Sequence, residues 1–470
     1  MADNKYAEDS IEIHKRKVKS FLDTEVLGFA KYVIETRAMP NIMDGLRVGA
    51  RKILFAAITG DLSKKNLIKM PSLIGDAMKM HYNHGDSSLL NTIVQLCSTH
   101  IYKYAPLEAI GQIGSLRVPK CNTAPRYLHI KTRKSMDFFK FDMELLERLT
   151  DDGDLVEPKY FLPIIPIALL IRTNSPGFGF SFRAFSYDFD SIVDNCVKAI
   201  TTGSCNVDSD IIPLVPCVEG IKPENMIYNG NKNSWYNVGE YRIDVENDSL
   251  IINDFPYNIA FDKYEEHLQE LLEKNFITGF SNLSQDLKIT YIVKFARGRL
   301  KTLTQDQWKF FQTMKLYSKI PNNTLSCIDQ DGKSILFFDN PYELVDCFVR
   351  KRLVFYQERK TKTVFSTKKE ILSLENKIKF IELVTNDILI INKRPILDIK
   401  KELDNYQLPY EVLKLNIEKL TQDEIVNMKN EIIEKKVYLE YLESTTIQEM
   451  YVRDLIDLKL KFSTIQKPII

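Results

Sequence analysis

The strongest constraint on the fold lies near the C-terminal end of the chain. Ile371, Leu374, Ile378, Ile381, Val384, Ile388 and Ile391 follow one another at gaps of three or four, with Lys and Glu between them. That period lays one apolar stripe along a long helix. Pro395 is expected to end it, because proline has no N–H to donate and its ring clashes with the preceding turn. A second charged helical stretch, about 421 to 444, then has to run back along the first. Residues 342–470 are therefore expected to form a long antiparallel arm of paired helices.

The rest of the chain carries other patterns. Residues 11–36 read as an amphipathic helix stopped at Pro40. Residues 37–158 read as short helices between turns: Gly45, then Ala50 to Ile58, Pro71 to Met80, and Asp86 to Thr99, with Asp86 able to cap the last. Three short helices with Gly-rich turns suggest a helix-turn-helix or winged-helix unit. Residues 159–341 switch to shorter apolar runs rich in β-branched residues, such as Phe161 to Ile171, Ser249 to Ile252 and Leu287 to Val293. The 470 residues are thus expected to form a multidomain α+β protein divided at 1–36, 37–158, 159–341 and 342–470.

Composition narrows the function classes. No run of eighteen or more apolar residues occurs, and the N-terminal segment MADNKYAEDSIEIHKRK is polar, so neither a membrane span nor a secretory signal is expected. The expected location is inside the cell, in the cytoplasm. Seven cysteines, Cys97, Cys121, Cys196, Cys205, Cys217, Cys327 and Cys347, include no C-x-x-C pair, which fits reduced thiols rather than a disulfide framework or a zinc site. Net charge is only +1, but residues 37–134 hold fifteen Lys and Arg against five Asp and Glu. Such a basic block is the electrostatic footprint of nucleic-acid binding, although a solvated face or a protein contact would also produce one.

Three clusters in that block carry chemistry. Arg37, Arg47, Arg51 and Lys52 place four cations around a tight turn; Tyr82-Asn83-His84-Gly85-Asp86-Ser87 places an imidazole at a helix start; Ala124-Pro125-Arg126-Tyr127 places a guanidinium beside a phenol. A phenol attacks a phosphodiester only if the charge growing on the phosphate oxygens is neutralised, and fixed Arg and His donors do this. Each residue also has a plainer explanation. Tyr127 is one of 22 tyrosines, most of which in any protein pack or line interfaces. His84 alone fits a hydrogen-bonded structural histidine, and the cations fit simple backbone-phosphate anchors.

Taken together and in order, these motifs resemble those of the breakage-reunion (A-type) subunit of type IIA DNA topoisomerases. RAMPNIMDGLRVGARKILFA resembles the segment opening their winged-helix domain, HYNHGDSSL their Y-H-H-G-E or H-P-H-G-D loop, and APRYLHI their S-P-R-Y-I active-site signature. VEPKYFLPIIPIALL resembles the stretch leading into the tower domain, and GKSILFFDNPYELVDCFVRKRLVFYQERK the start of the coiled-coil arm. The similarity spans roughly residues 20 to 460, and within the family the chain most resembles the medium subunits of T-even phages.

The resemblance implies that Tyr127 forms a 5′-phosphotyrosyl bond, that Arg126 supports the scissile phosphate, and that His84 and Arg51 complete the cradle. Arg37 and Lys52, with Arg47 between them, match basic positions that grip DNA, and Ser87 falls where drugs that trap the cleaved complex often touch. Two departures stand out. Asn83 replaces the first histidine of the eukaryotic-type pair, and the DNA-bending segment reads Ser175-Pro176-Gly177-Phe178-Gly179-Phe180, which leaves Pro176 or Phe178 as the apolar wedge.

No G-x-x-x-x-G-K-[ST] loop and no E-G-D or D-x-D acidic module occurs, so ATP and Mg2+ are expected on a partner subunit carrying the ATPase and TOPRIM modules. No metal site is expected in this chain. The chain also stops near the base of the arm, which implies no DNA-wrapping C-terminal domain. The implied assembly is a homodimer closed by a C-gate at the arm, cutting double-stranded DNA and passing a second duplex through the break. A phage-encoded member would act in the host cell cytoplasm or nucleoid. The competing reading is a dimeric architectural DNA-binding protein with a packed Tyr127; a two-metal nuclease lacks the clustered carboxylates it would need.

Overall fold

The computed structural model describes residues 17–60, 62–63, 66–99, 101–115, 118, 123–171, 173–177, 179–206, 211–217, 221–229, 234–285, 288–320, 323–391, 394–415 and 421–463. Two compact units are present, Met1–Cys196 with Cys205–Phe348, and Val197–Ser204 with Val349–Ile470.

In the first unit, α1 (Val18–Phe21) and α2 (Leu27–Val33) join through wider turns at Leu22–Val26 and Ile34–Ala38 into one helical run. It stops just before Pro40, as expected; residues 1–16 lie outside the described residues. Ala30, Ile34 and Ala38 reach the core, while Phe21, Leu22, Leu27 and Phe29 are exposed.

The three helices expected in the basic block are α3 (Val48–Thr59), α4 (Met70–Met78) and α5 (Asp86–Cys97). A short antiparallel sheet completes them, from β1 (Ile68–Lys69), β2 (Leu107–Ile110) and β3 (His129–Thr132) in the order β1-β3-β2. The hairpin of β4 (Arg148–Asp151) and β5 (Asp154–Pro158) follows, its turn made by Asp152 and Gly153 at positive φ. Helix α3 is buried from Ala50 to Ala57 because α4, α5 and β5 cover it on different sides. Helix α5 starts differently from expectation. Gly85, at φ 77° and ψ 154°, takes the capping position, and Asp86 is the first helical residue, its carboxylate accepting the Ser87 N–H at 2.8 Å. That backbone conformation is open to glycine and strained for other residues, so the cap belongs to Gly85.

The segment Phe161 to Ile171, read above as strand-like, is fully buried but makes no strand before the short helix α6 (Ile167–Leu170). Pro163 and Pro166 remove the N–H donors that a central strand requires. Beyond it come β6 (Thr173–Pro176), β7 (Ser181–Ala184), α7 (Phe189–Thr202), β8 (Met226–Asn229), β9 (Ser234–Val238), β10 (Glu240–Asp244) and β11 (Ser249–Asp254). Then follow α8 (Phe261–Glu273), β12 (Gly279–Asn282), β13 (Tyr291–Lys294), α9 (Arg299–Leu303), α10 (Gln307–Thr313), β14 (Tyr317–Lys319), β15 (Thr324–Ile328) and β16 (Ile335–Phe338). The strands form three antiparallel sheets, β16-β15-β7-β6, β14-β9-β8 and β10-β11-β13-β12. The last sheet packs Leu250, Ile252, Tyr291 and Val293 against Tyr264 and Leu268 of α8. Strand β15 also reaches the basic block: Ile42 N donates to the Ile328 carbonyl at 2.8 Å, and Ile328 N to the Pro40 carbonyl at 2.9 Å.

The second unit takes in α11 (Pro341–Thr385) from Val349 onward, then α12 (Ile396–Asn405), α13 (Gln422–Ser444) and α14 (Ile447–Ser463). Ile371, Leu374, Ile378 and Ile381 pack on Ile425, Met428 and Ile432 of α13, as the stripe requires. Ion pairs Lys368–Glu443, Glu375–Lys436 and Glu382–Lys429 rise along one helix as they fall along the other, so the two are antiparallel. Pro395 does not end α11. The helix stops at Thr385, where Asp387 turns left-handed (φ 55°), and Pro395 instead caps α12. The apolar period continues past the helix end because Leu389, with Ile391 beside it, packs into a separate core with Phe380, Ile399, Leu403 and Leu408. Among the described residues no helix is long and apolar enough to cross a membrane.

The turn Asn41–Gly45 offers a test of this packing. Gly45 sits at φ +65°, and a Cβ there would lie 2.4 Å from the Ala168 nitrogen. Gly45→Ala is expected to destabilise the first unit by about 2 kcal/mol or more, read as a lower urea midpoint in its unfolding.

Candidate active site

The basic turn is organised by a carboxylate. Asp44 is 0% exposed. It accepts hydrogen bonds from Leu46 N at 3.0 Å, from Phe161 N at 3.1 Å, and from Arg51 Nε at 2.7 Å and Nη2 at 3.1 Å. Arg51 Nη2 also donates to the Leu46 carbonyl at 3.1 Å. Burial pulls the Arg51 pKa down, but the charge and hydrogen bonds of Asp44 outweigh it and leave the guanidinium above its usual value. Lys52 is likewise buried, with Nζ 2.6 Å from Glu157 Oε2 and bonded to the Met80 carbonyl. Arg51 and Lys52 therefore depart from the expectation that they reach DNA. Both sit on the covered side of α3, where an unpaired charge would cost several kcal/mol, and each has a carboxylate partner from elsewhere in the chain.

The remaining expected cations stand at the surface. Arg37 is exposed at the end of the N-terminal helical run, and Arg47 is half-buried, with Nη2 donating to Gln95 Oε1 at 3.3 Å. With Thr36, Gly49, Tyr82, His84, Ser88 and Thr92 they line a cleft of about 100 Å3. The His84 ring lies 5.5 Å from Tyr82, edge-on, and 6.1 Å from Tyr32. Tyr82 is fixed in turn by its hydroxyl, which donates to Ser88 Oγ at 3.0 Å. Partial burial, and then the nearby Arg37 charge, lower the His84 pKa below its usual value and favour the neutral imidazole. A neutral ring still has one N–H to offer an anion entering the cleft.

Tyr127 lies on a one-turn helix, Pro125–Tyr127, just before β3. Pro125 presets the first position, and Leu128, 2% exposed, anchors the exit and accepts Met70 N at 3.0 Å through its carbonyl. The turn is thereby tied to the start of α4 while the phenol projects outward, 66% exposed. The exposed Arg126 guanidinium sits 5.2 Å from the Tyr127 ring centroid. Tyr127 is not among the residues lining the Arg37–His84 cleft. The structure thus gathers Arg37, Arg47 and His84, pairs Arg126 with Tyr127, and withdraws Arg51 and Lys52.

Three further positions complete the account. Ser87 is exposed in the first turn of α5, its N–H bonded to Asp86. Pro176 ends β6 in a tight hairpin closed by Gly177 N to the Phe180 carbonyl at 2.8 Å, and Phe178 lies outside the described residues. Among the described residues no three His, Cys, Asp or Glu side chains converge as metal ligands. Sequence reasoning missed the roles of Asp44, Glu157, Tyr32 and Gln95. Only Asp44 had a local signal, in the D-G turn.

The electrostatics give a test. Arg37→Met is expected to raise the His84 titration midpoint, since a neighbouring positive charge that disfavours imidazolium is removed, while remaining below 6.5 because burial is the larger cause. Histidine NMR titration of the two proteins measures it; a midpoint unchanged or lowered would contradict the arrangement.

A family profile for the A subunit of DNA gyrase/topoisomerase IV matches residues 37–461. The chain is 29% identical to DNA topoisomerase 2 of Plasmodium falciparum over 88% of its own length but only 29% of that protein's. It is 24% identical to the DNA topoisomerase medium subunit of Enterobacteria phage T4, over 96% of this chain and 100% of that one. The crystal structure of the Plasmodium falciparum topoisomerase II DNA-binding, cleavage and re-ligation domain superposes with a TM-score of 0.79 at 25% identity, covering 95% of this chain and 66% of that one. With the match extending over most of its length, the chain belongs to the family of DNA gyrase/topoisomerase IV A subunits.

Proposed function

We propose that the chain is the DNA-cleaving subunit of a type II DNA topoisomerase and that Tyr127 is its nucleophile. The observation that carries this is a phenol held outward beside a guanidinium, at the position where the family motif puts its tyrosine. A packed Tyr127 would have favoured the architectural, binding-only alternative; an exposed one fits a residue that meets a ligand. The names of the cleavage-domain structure and of the phage medium subunit support the same reading.

In the reaction, the phenolic oxygen bonds to a DNA phosphorus as the P–O3′ bond breaks. The phenol proton passes to solvent or a base, and the 3′ oxygen leaves as a hydroxyl. Arg126 balances charge on the phosphate oxygens, and the resulting 5′-phosphotyrosyl ester keeps the bond energy, so resealing is the reverse attack by the 3′ hydroxyl. Arg37, Arg47 and the neutral His84 form a donor-rich cleft suited to a backbone phosphate. Magnesium and ATP are placed on a larger partner subunit with ATPase and TOPRIM modules. When bound there, magnesium would neutralise charge at the scissile phosphate.

Within this reading, residues 37–158 act as a winged-helix cleavage domain, 159–341 as a tower and 342–470 as a coiled-coil arm ending in a C-gate. Helices followed by a small antiparallel sheet fit the first, and the antiparallel α11–α13 pair fits the last. Pro176 and Phe178 remain the candidates for the DNA-bending wedge. Ile388, Ile390, Ile396 and Leu397 are each exposed in the segment that also contributes Leu389 and Ile399 to a small core, and these apolar side chains are the ones a second copy would cover. Exposed Phe21, Leu22, Leu27 and Phe29 offer a comparable surface to the partner subunit.

Two experiments test the proposal. Tyr127→Phe, assayed with the partner subunit, Mg2+ and plasmid DNA, is expected to bind DNA as the wild type does yet yield no denaturant-stable protein–DNA adduct. Normal adduct yield would overturn the assignment. Leu397→Asp is expected to shift the chain from dimer toward monomer in sedimentation velocity, and an unchanged dimer would remove the arm's end from the interface.

A further inference from the structure

The buried Lys52–Glu157 pair has no part in the chemistry above, yet it touches the turn that displays His84. Lys52 comes from α3 and Glu157 from β5, with side chains 7% and 3% exposed. Lys52 Nζ, held by Glu157, donates a second hydrogen bond to the Met80 carbonyl. Met80 lies just past the end of α4, where carbonyls lack helical partners and a cation is favoured. The next residue, His81, is left-handed at φ 55°, and Tyr82, Asn83, His84 and Gly85 follow directly. The grip on Met80 therefore fixes the point from which the turn departs.

The same hairpin makes a second contact to the turn. His81 Nε2 lies 3.2 Å from Asp154 Oδ2, at the opposite end of β5 from Glu157. Asp154 is 78% exposed, so this contact alone is weak. On the other side, the Tyr82 ring rests against Gly49 of α3, where a Cβ would come within 3.4 Å of it. Backbone exit, His81 and Tyr82 are thus each held by a different group, and His84 follows two residues later with its ring 5.5 Å from that of Tyr82.

We infer that Lys52, Glu157 and Asp154 are positioning residues for His84: through the Met80 carbonyl and the His81 ring, the β4–β5 hairpin sets the imidazole beside Arg37 in the cleft. The inference rests on the proposed cleavage function, in which that cleft receives a DNA phosphate. It gives Lys52 a duty other than gripping DNA. It also separates the pair from a merely stabilising one, because a device acting through His84 has nothing to act on once His84 is gone.

The test is a mutant cycle with the full chain, its partner subunit, Mg2+ and plasmid DNA. Lys52→Met combined with Glu157→Leu replaces both charges with apolar side chains of similar bulk, leaves no buried charge unpaired and removes the donor to Met80. The rate of adduct formation is expected to fall about tenfold or more, as for displaced catalytic groups generally, with melting temperature and DNA affinity near wild type. In a His84→Ala background the same double change is expected to cause no further fall. Equal losses in both backgrounds, or an unchanged rate, would overturn the inference. If the double variant does not fold, Asp154→Ala decides: a fall of about two- to threefold, fitting a weak exposed contact, is expected with His84 present and none without it, and any other pattern overturns it. A wild-type protein that forms no tyrosine-linked adduct brings down the functional reading and this inference together. Normal wild-type adduct with an unaffected variant removes the positioning role alone.

Discussion

Asp44 is the interaction on which the basic block depends. Its carboxylate joins its own turn and the start of α3, both near in sequence, to the irregular proline-rich path at Phe161, which is far along the chain. A fully buried carboxylate is costly unless every lone pair is used, and here backbone N–H groups and a forked guanidinium use them. The geometry of the turn follows from that satisfaction. Gly45, free to take a left-handed conformation, lies close against Ala168 in the turn that Asp44 anchors.

That arrangement divides the cations by function. Four basic residues within sixteen positions look equivalent in sequence, yet two are turned inward to carboxylates and two remain at the cleft. The inner pair is spent on structure, with the charge needed to hold α3 against β5 and the Phe161 segment. The outer pair stands at the lining of the cleft. Arg47, bonded to Gln95, and the His84 imidazole, set against Tyr82 and Tyr32, are held in place before any ligand binds, which suits the phosphate-binding role proposed for the cleft. The Tyr127 turn does not line this cleft, so the proposed cleavage reaction would need DNA to bring phosphates to both.

Much of the fold was legible beforehand, for identifiable reasons. Helices α3, α4 and α5 fell within a residue or two of expectation, because their apolar spacing and flanking turn residues are local signals. The α11–α13 pairing followed from one stripe and one return segment. Errors arose where a local signal met a nonlocal demand. The apolar period around Ile388 and Ile391 read as more helix, but Leu389 was claimed by a second core, so the chain turned ten residues before Pro395. Phe161 to Ile171 had strand-like composition, yet its prolines and complete burial left it irregular.

The sequence alone determined the order of the elements, the basic block, and the Arg-Tyr and His-Gly-Asp signatures that place the chain in its family. Those properties reside in spacing and residue type, which need no partner to exist. Only the tertiary structure decided which cations turn inward to carboxylates and which stand at the cleft, that Tyr127 faces solvent, and that the His84 pKa is lowered. The cation pairings depend on which carboxylate each side chain meets, Asp44 seven residues from Arg51 and Glu157 far along the chain from Lys52, and no periodicity in the chain records which pair will meet once water is excluded.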